Sequence, residues 1–226
     1  MMINKPIFVA CDISNQKDIL RLLSKIHKDI SGIKIGLQYI TQSSPGDIKE
    51  LAKFNKPIFY DGKFFDIKNT LVESIKSLKD LNITYATVHI LNGIDALQAA
   101  NKEAHNIGIK LLGVSVLTSF DNQDLIQLGF KDKIDEQVIR LIKIADKANL
   151  YGIVCSPLET KKIKKIAPRL KCFTPGIRMT KNNNDQKRTM NAKDALNEGS
   201  DCLIIGRPIT EGDPAKNVQK ILSSIK

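Results

Sequence analysis

Short β-branched runs alternate with amphipathic stretches along the whole chain. Runs at Ile7–Asp12, Ile33–Leu37, Ile58–Lys63, Tyr85–His89, Leu111–Leu117, Gly152–Cys155, Cys172–Thr174 and Cys202–Ile205 read as strands. Each precedes a stretch with apolar residues at helical spacing: Lys17–Lys28, Asp47–Phe54, Asn69–Leu81, Ile94–Asn106, Ile134–Ala148, Leu158–Ile166, Ala192–Glu198 and Pro214–Ile225. Such alternation implies parallel strands joined by crossover helices. Eight units in 226 residues fit an α/β fold, a single (β/α)8 TIM-type barrel spanning residues 1–226, better than a doubly wound sheet. Neither G-x-G-x-x-G nor G-x-x-x-x-G-K-[ST] occurs, and no composition break or Pro/Gly/Ser linker divides the chain.

In such a barrel, side chains at the C-terminal ends of the strands converge on one mouth. Here those positions hold Asp12, Lys34, Asp61 with Lys63, His89, Thr118 with Ser119, Ser156, the run Thr174-Pro175-Gly176-Ile177-Arg178, and Gly206-Arg207. The densest group is Asp61, Lys63 and Asp66, directly after the apolar run Ile58-Phe59-Tyr60. Strand alternation sends Asp61 and Lys63 to one side and Gly62 to the other. A solvated turn with loosely paired charges is one reading of such a string. The buried strand before it and the helix start at Asn69-Thr70 favour an active site at a strand exit. The longest polar, turn-like stretch, Arg178 to Arg188, is the best lid candidate.

Composition narrows the partners. With 42% hydrophobic and 26% charged residues and no apolar run long enough to span a bilayer, the chain reads as a globular protein without a membrane partner. Its start, Met1-Met2-Ile3-Asn4-Lys5-Pro6, shows no signal-peptide pattern, so a cytoplasmic address is expected. Cys11, Cys155, Cys172 and Cys202 are widely spaced in apolar runs, which suits buried thiols better than disulfides. His27, His89 and His105 lack metal-ligand spacing, and no metal site is expected. The formal charge of +11 is compatible with nucleic acid, an anionic surface or a phosphorylated substrate, and does not choose among them. The basic run Lys161-Lys162-Ile163-Lys164-Lys165 has apolar residues at helical spacing and no interleaved aromatics. It reads as a solvated helix face, and no nucleic-acid partner is expected.

Asp61-x-Lys63-x-x-Asp66, Thr174-Pro175-Gly176-Ile177-Arg178, Asp185-Gln186-x-Arg188 and Ile205-Gly206-Arg207-Pro208-Ile209-Thr210 together resemble the orotidine 5'-phosphate decarboxylase family. Val9-Ala10-Cys11-Asp12, Ile33-Lys34-Ile35-Gly36, Val88-His89 and Val116-Leu117-Thr118-Ser119 support the resemblance in the right order, so that it spans the chain. The family's usual D-L-K-F-H-D-I-P-N-T reads Asp61-Gly62-Lys63-Phe64-Phe65-Asp66-Ile67-Lys68-Asn69-Thr70 here. Gly62 stands where the family has leucine, and looser packing is expected there. Phe65 and Lys68 also depart from the pattern, as do Met179 and Ala192, where the family carries prolines.

The resemblance implies conversion of orotidine 5'-phosphate to uridine 5'-phosphate and carbon dioxide, the last step of de novo pyrimidine biosynthesis, without metal or organic cofactor. Decarboxylation leaves an electron pair in an in-plane orbital at pyrimidine C6, outside the ring π system. A fixed cation there can stabilise the charge and supply a proton, the roles the resemblance gives Lys63. Opposite charges about 4 Å apart attract by roughly 4 kcal/mol at an effective dielectric near 20, so an array Lys34, Asp61, Lys63, Asp66 can hold the ammonium in place. Asp61 would face the substrate carboxylate, acting by repulsion or by orienting Lys63. Asp66 would reach into a neighbouring subunit's site, which implies a homodimer with shared active sites. Arg207, the Gly206 backbone, Arg178 and Gln186 would grip the phosphate. Asp12, Lys34 and Thr70 would contact ribose, and Thr118 or Ser119 would read the pyrimidine edge. Arg188 reads as ordinary loop solubility, and His89 as a strand-end histidine. The rivals are a Mg²⁺-dependent phosphosugar enzyme, a Schiff-base lysine at Lys63 and a basic nucleic-acid-binding protein.

Overall fold

The computed structural model describes residues 6–178 and 188–225. Among them, eight strands form a closed parallel barrel: β1 Ile7–Cys11, β2 Gly32–Gly36, β3 Ile58–Phe64, β4 Ile83–His89, β5 Lys110–Val114, β6 Gly152–Val154, β7 Lys171–Thr174 and β8 Cys202–Ile205. Each pairs with the next, and β8 closes onto β1 with Ile7 opposite Leu203. Helices Gln16–Ile26, Pro45–Glu50, Lys68–Lys76, Ile94–Asn106, Ile134–Lys147, Thr160–Ile166 and Ala192–Asn197 occupy the seven crossovers, and Pro214–Ser224 follows β8, as expected from the sequence.

Period-two alternation divides each strand between two cores. Ile7, Val9, Cys11, Ile33 and Ile35 face outward and are buried with helix residues such as Ile19, Leu22, Leu23 and Ile26. The inward positions Phe8, Phe59, Tyr85 and Phe173 plug the barrel, their ring centroids 5.1 to 6.5 Å apart in edge-on and tilted arrangements. Burying each such side chain stabilises the fold by about 1.5–3 kcal/mol. Gly32 belongs to the same layer: a Cβ there would lie 2.1 Å from the Phe8 ring. Two residues further along these strands stand Ala10, Lys34 and Asp61, so the aromatic plug forms the floor of the mouth.

Several boundaries differ from the sequence reading. β5 ends at Val114 rather than Leu117, leaving Ser115 to Leu117 outside the sheet as they lead to Thr118. The third crossover helix stops at Lys76 instead of Leu81. Short helices at Leu37–Ile40, Asn122–Gln127 and Arg207–Thr210 fill loops where no helix was expected. Of these, Asn122–Gln127 carried a readable start signal, the reciprocal cap between Asp121 and Asp124. The looser packing expected at Gly62 is absent. Tyr60 and Phe64 stack with centroids 5.7 Å apart, and a Cβ on Gly62 would meet the Tyr60 ring at 2.7 Å. Tyrosine two residues before the glycine fills the room a leucine would take.

All four cysteines are buried and free. Burial pushes the Cys11 thiol up to about 12. Lys164 corrects the picture of a solvated lysine face, since it is half-buried and donates to Asp201 at 2.5 Å and to the Leu170 carbonyl at 2.9 Å. No described helix is long and apolar enough to cross a membrane.

Candidate active site

A cleft of about 580 Å³ opens at the C-terminal ends of the strands, a size within the range of small-molecule sites. On the β1 to β3 side its wall is a chain of alternating charges. Lys34 Nζ lies 2.9 Å from Asp12 Oδ1 and 3.6 Å from Asp61 Oδ2, and Lys63 Nζ lies 2.8 Å from that same Asp61 oxygen. The central pair is deeply placed, with Lys34 and Asp61 side chains 8% and 10% exposed, whereas Lys63 is 35% exposed and faces the cleft.

The two buried members hold each other charged. Burial alone would lower the Lys34 ammonium, but the Asp61 and Asp12 carboxylates outweigh it and raise its pKa. Burial would raise the Asp61 carboxyl, yet Lys34, Lys63 and the Thr87 hydroxyl outweigh that effect and hold it below the usual carboxylate range. Gly36 makes room for the arrangement: a Cβ there would fall 2.5 Å from Asp12 Oδ1 and 3.0 Å from Lys34 Nζ.

Lys63 does not reach Asp61 by simple strand alternation. Its backbone is left-handed, with φ of +49°, at a register shift between Tyr60 and Phe64. A non-glycine residue in this conformation is uncommon, and strained positions of this kind cluster at functional sites. The Lys63 amide leaves the strand ladder and donates to Thr87 Oγ1 at 2.8 Å, and that hydroxyl donates to Asp61 Oδ1 at 3.0 Å.

Across the barrel, the exits of β5, β7 and β8 bring Thr118, Arg178, Gly206 and Arg207 to the same cleft. A parallel bridge between Ile177 and Met190 closes the base of the β7 to β8 connection. The orotidine 5'-phosphate decarboxylase / HUMPS family model matches residues 5–221. The chain belongs to that family. It is 39% identical to orotidine 5'-phosphate decarboxylase of Wolbachia pipientis subsp. Culex pipiens, covering 97% of this chain and 98% of the relative. It is 40% identical to the enzyme of that name from Ehrlichia canis, over 97% of both. Its fold matches the crystal structure of orotidine 5'-phosphate decarboxylase from Lactobacillus acidophilus with a TM-score of 0.85 at 31% identity, covering 98% of this chain and 99% of that one.

Of the residues singled out by resemblance to this family, Asp12, Lys34, Asp61, Lys63, Thr118, Arg178, Gly206 and Arg207 line one cleft. Asp66, Thr70 and Ser119 are exposed and stand outside that lining within the single chain. Within the single chain the charge array runs Asp12, Lys34, Asp61, Lys63. Asp66 instead accepts the Ile67 amide at 2.7 Å, and its own amide donates to Asn92 Oδ1. Gln186 and Asp185, with most of the expected lid, lie outside the described residues. His89 accepts the Leu91 amide through Nδ1 and packs 5.5 Å from the Phe65 ring, and burial, with Lys63 adding to it, lowers its pKa.

Arg188 overturns its reading as a solubilising loop residue. Its Nη1 pairs with the buried Glu159, and its Nη2 donates to the Val116 and Leu117 carbonyls at 3.2 and 3.0 Å. Glu159 also accepts the Ser156 amide at 3.1 Å. Burial pushes its carboxyl above the usual range against the pull of Arg188. Thr87, Gly36 and Glu159 were missed from sequence, although Ser156-x-x-Glu159 carries the spacing of a capping box.

Proposed function

We propose that the protein decarboxylates orotidine 5'-phosphate to uridine 5'-phosphate and carbon dioxide without a cofactor, with Lys63 as the catalytic cation and acid. The observation that carries this reading is the buried charge chain ending in a Lys63 ammonium at the cleft. Relatives at 39 and 40% identity that bear the decarboxylase name favour this substrate over a sugar phosphate. With the pyrimidine over Lys63, the C6–carboxyl bond breaks and its electron pair stays at C6. The ammonium stabilises that pair, then transfers a proton to C6, and solvent reprotonates the amine. Asp61 fixes the ammonium through its 2.8 Å contact.

Asp61 is poorly suited to hold a metal. One oxygen faces Lys63 and Lys34, and the other accepts the Thr87 hydroxyl. Two ammonium groups at one of its oxygens would repel a metal cation there, which supports metal-free chemistry. Arg178 and Arg207, at the exits of β7 and β8, suit the phosphate, whose binding energy can organise the site far from the breaking bond. Asp12 and Lys34 suit the ribose hydroxyls, and Thr118 the pyrimidine edge.

The reading includes a homodimer with shared sites. The segment bearing Asp66 and Thr70 is flanked by Phe65 and Ile67, 63% and 73% exposed, with Leu91 also exposed. Covering these apolar side chains with a second copy would carry Asp66 and Thr70 toward its cleft. The activity is tested by incubating purified protein with orotidine 5'-phosphate in D₂O with excess EDTA. Uridine 5'-phosphate carrying deuterium at C6, formed in equal amount with carbon dioxide, is the expected result. No conversion until Mg²⁺ is added, or turnover of sugar phosphates instead, would move the assignment to the phosphosugar branch.

A further inference from the structure

We infer that Thr87, in the middle of β4, is a positioning residue that sets the catalytic geometry of Lys63 and Asp61 together through one hydroxyl; this rests on the reading of Lys63 given above. Thr87 is fully buried and points into the barrel between Tyr85 of the aromatic plug and His89 at the strand end. Its Oγ1 lies 2.8 Å from the Lys63 amide nitrogen and 3.0 Å from Asp61 Oδ1.

The direction of both bonds is forced. A backbone N–H can only donate and an ionised carboxylate can only accept, so the single hydroxyl proton is committed to Asp61 while a lone pair receives the Lys63 amide. The hydroxyl thereby does two things that no other described contact does. It gives the Lys63 amide a partner where the left-handed φ of +49° takes it off the strand ladder. It also occupies Asp61 Oδ1, which leaves Oδ2 turned to the two ammonium groups. Without it, the Lys63 amide would be buried unpaired, and the backbone would gain by returning toward the extended region, carrying the ammonium away from Asp61. A strand residue whose neighbours on both sides belong to the barrel wall is well placed to resist that relaxation.

The test compares Thr87→Val, which keeps the shape and removes the hydroxyl, with Thr87→Ser, which keeps the hydroxyl and removes the methyl. Valine should lower kcat by about 10- to 100-fold, the scale on which small misplacement costs rate. It should leave KM and uridine 5'-phosphate affinity within about threefold, since Thr87 does not line the cleft. Serine should recover most of the lost kcat. Amide hydrogen exchange at Lys63, read by NMR, should be slow in the wild type and the serine variant and fast in the valine variant. A valine variant with wild-type kcat and a protected Lys63 amide would overturn the inference, as would a serine variant as impaired as valine. Should the wild type fail to turn over orotidine 5'-phosphate while the exchange pattern holds, the positioning role stands and the substrate assignment fails.

Discussion

Gly36 shows how much of this site depends on a missing side chain. Its φ of −103° is open to any residue, so the need for glycine there is one of space, not of backbone freedom. A methyl group would press on Asp12 Oδ1 and Lys34 Nζ at once. Gly36→Ala should therefore open the Asp12–Lys34 pair, lowering kcat/KM by about tenfold or more and stability by roughly 1–3 kcal/mol. Kinetics beside thermal unfolding would check both. The charged residues themselves were legible in the sequence because acids and lysines at the exits of apolar strands are costly unless they pair. Their partnership was not. Alternation alone predicted that Asp61 and Lys63 share a side, which is true of their side chains but depends on a left-handed Lys63 and on Thr87, whose place in the middle of a strand reads as ordinary β-propensity.

At the scale of elements, periodicity located all eight strands and the main helix after each, because buried parallel strands and amphipathic helices leave different apolar spacings. It failed where a loop is organised by tertiary contact. Arg188 looked like one charge in a polar stretch, yet it joins the β7 to β8 connection to Glu159 and to the backbone of Val116 and Leu117, which line the cleft beside Thr118. Those contacts span 29 to 72 residues of sequence, beyond the reach of any local pattern. Gly62 misled in the opposite sense, since its apparent cavity is filled by Tyr60 stacked on Phe64. Compensation two residues away is invisible when a single position is compared with a family pattern.

At the scale of the whole molecule, the closed barrel brings residues from β1, β2, β3, β5, β7 and β8 to one mouth, while Asp66 and Thr70 remain on an exposed, partly apolar rim. That division is the reason a shared site is proposed. Lys63→Ala and Asp66→Ala chains, each weakly active alone, should regain activity when refolded together, because one of the two sites in a mixed dimer then holds both native residues. A mixture no more active than its components would place both residues in the same chain's site or show that the chains do not pair.

The most direct test of the central claim is the ultraviolet spectrum of orotidine 5'-phosphate mixed with wild-type protein and with Lys63→Ala, both in excess EDTA and both confirmed as folded. The wild type should convert the spectrum to that of uridine 5'-phosphate. Lys63→Ala should be slower by at least about 10⁴-fold, the combined scale of lost electrostatic stabilisation and lost proton transfer. An unchanged spectrum with the wild type, or a Lys63→Ala variant within tenfold of it, would contradict the account.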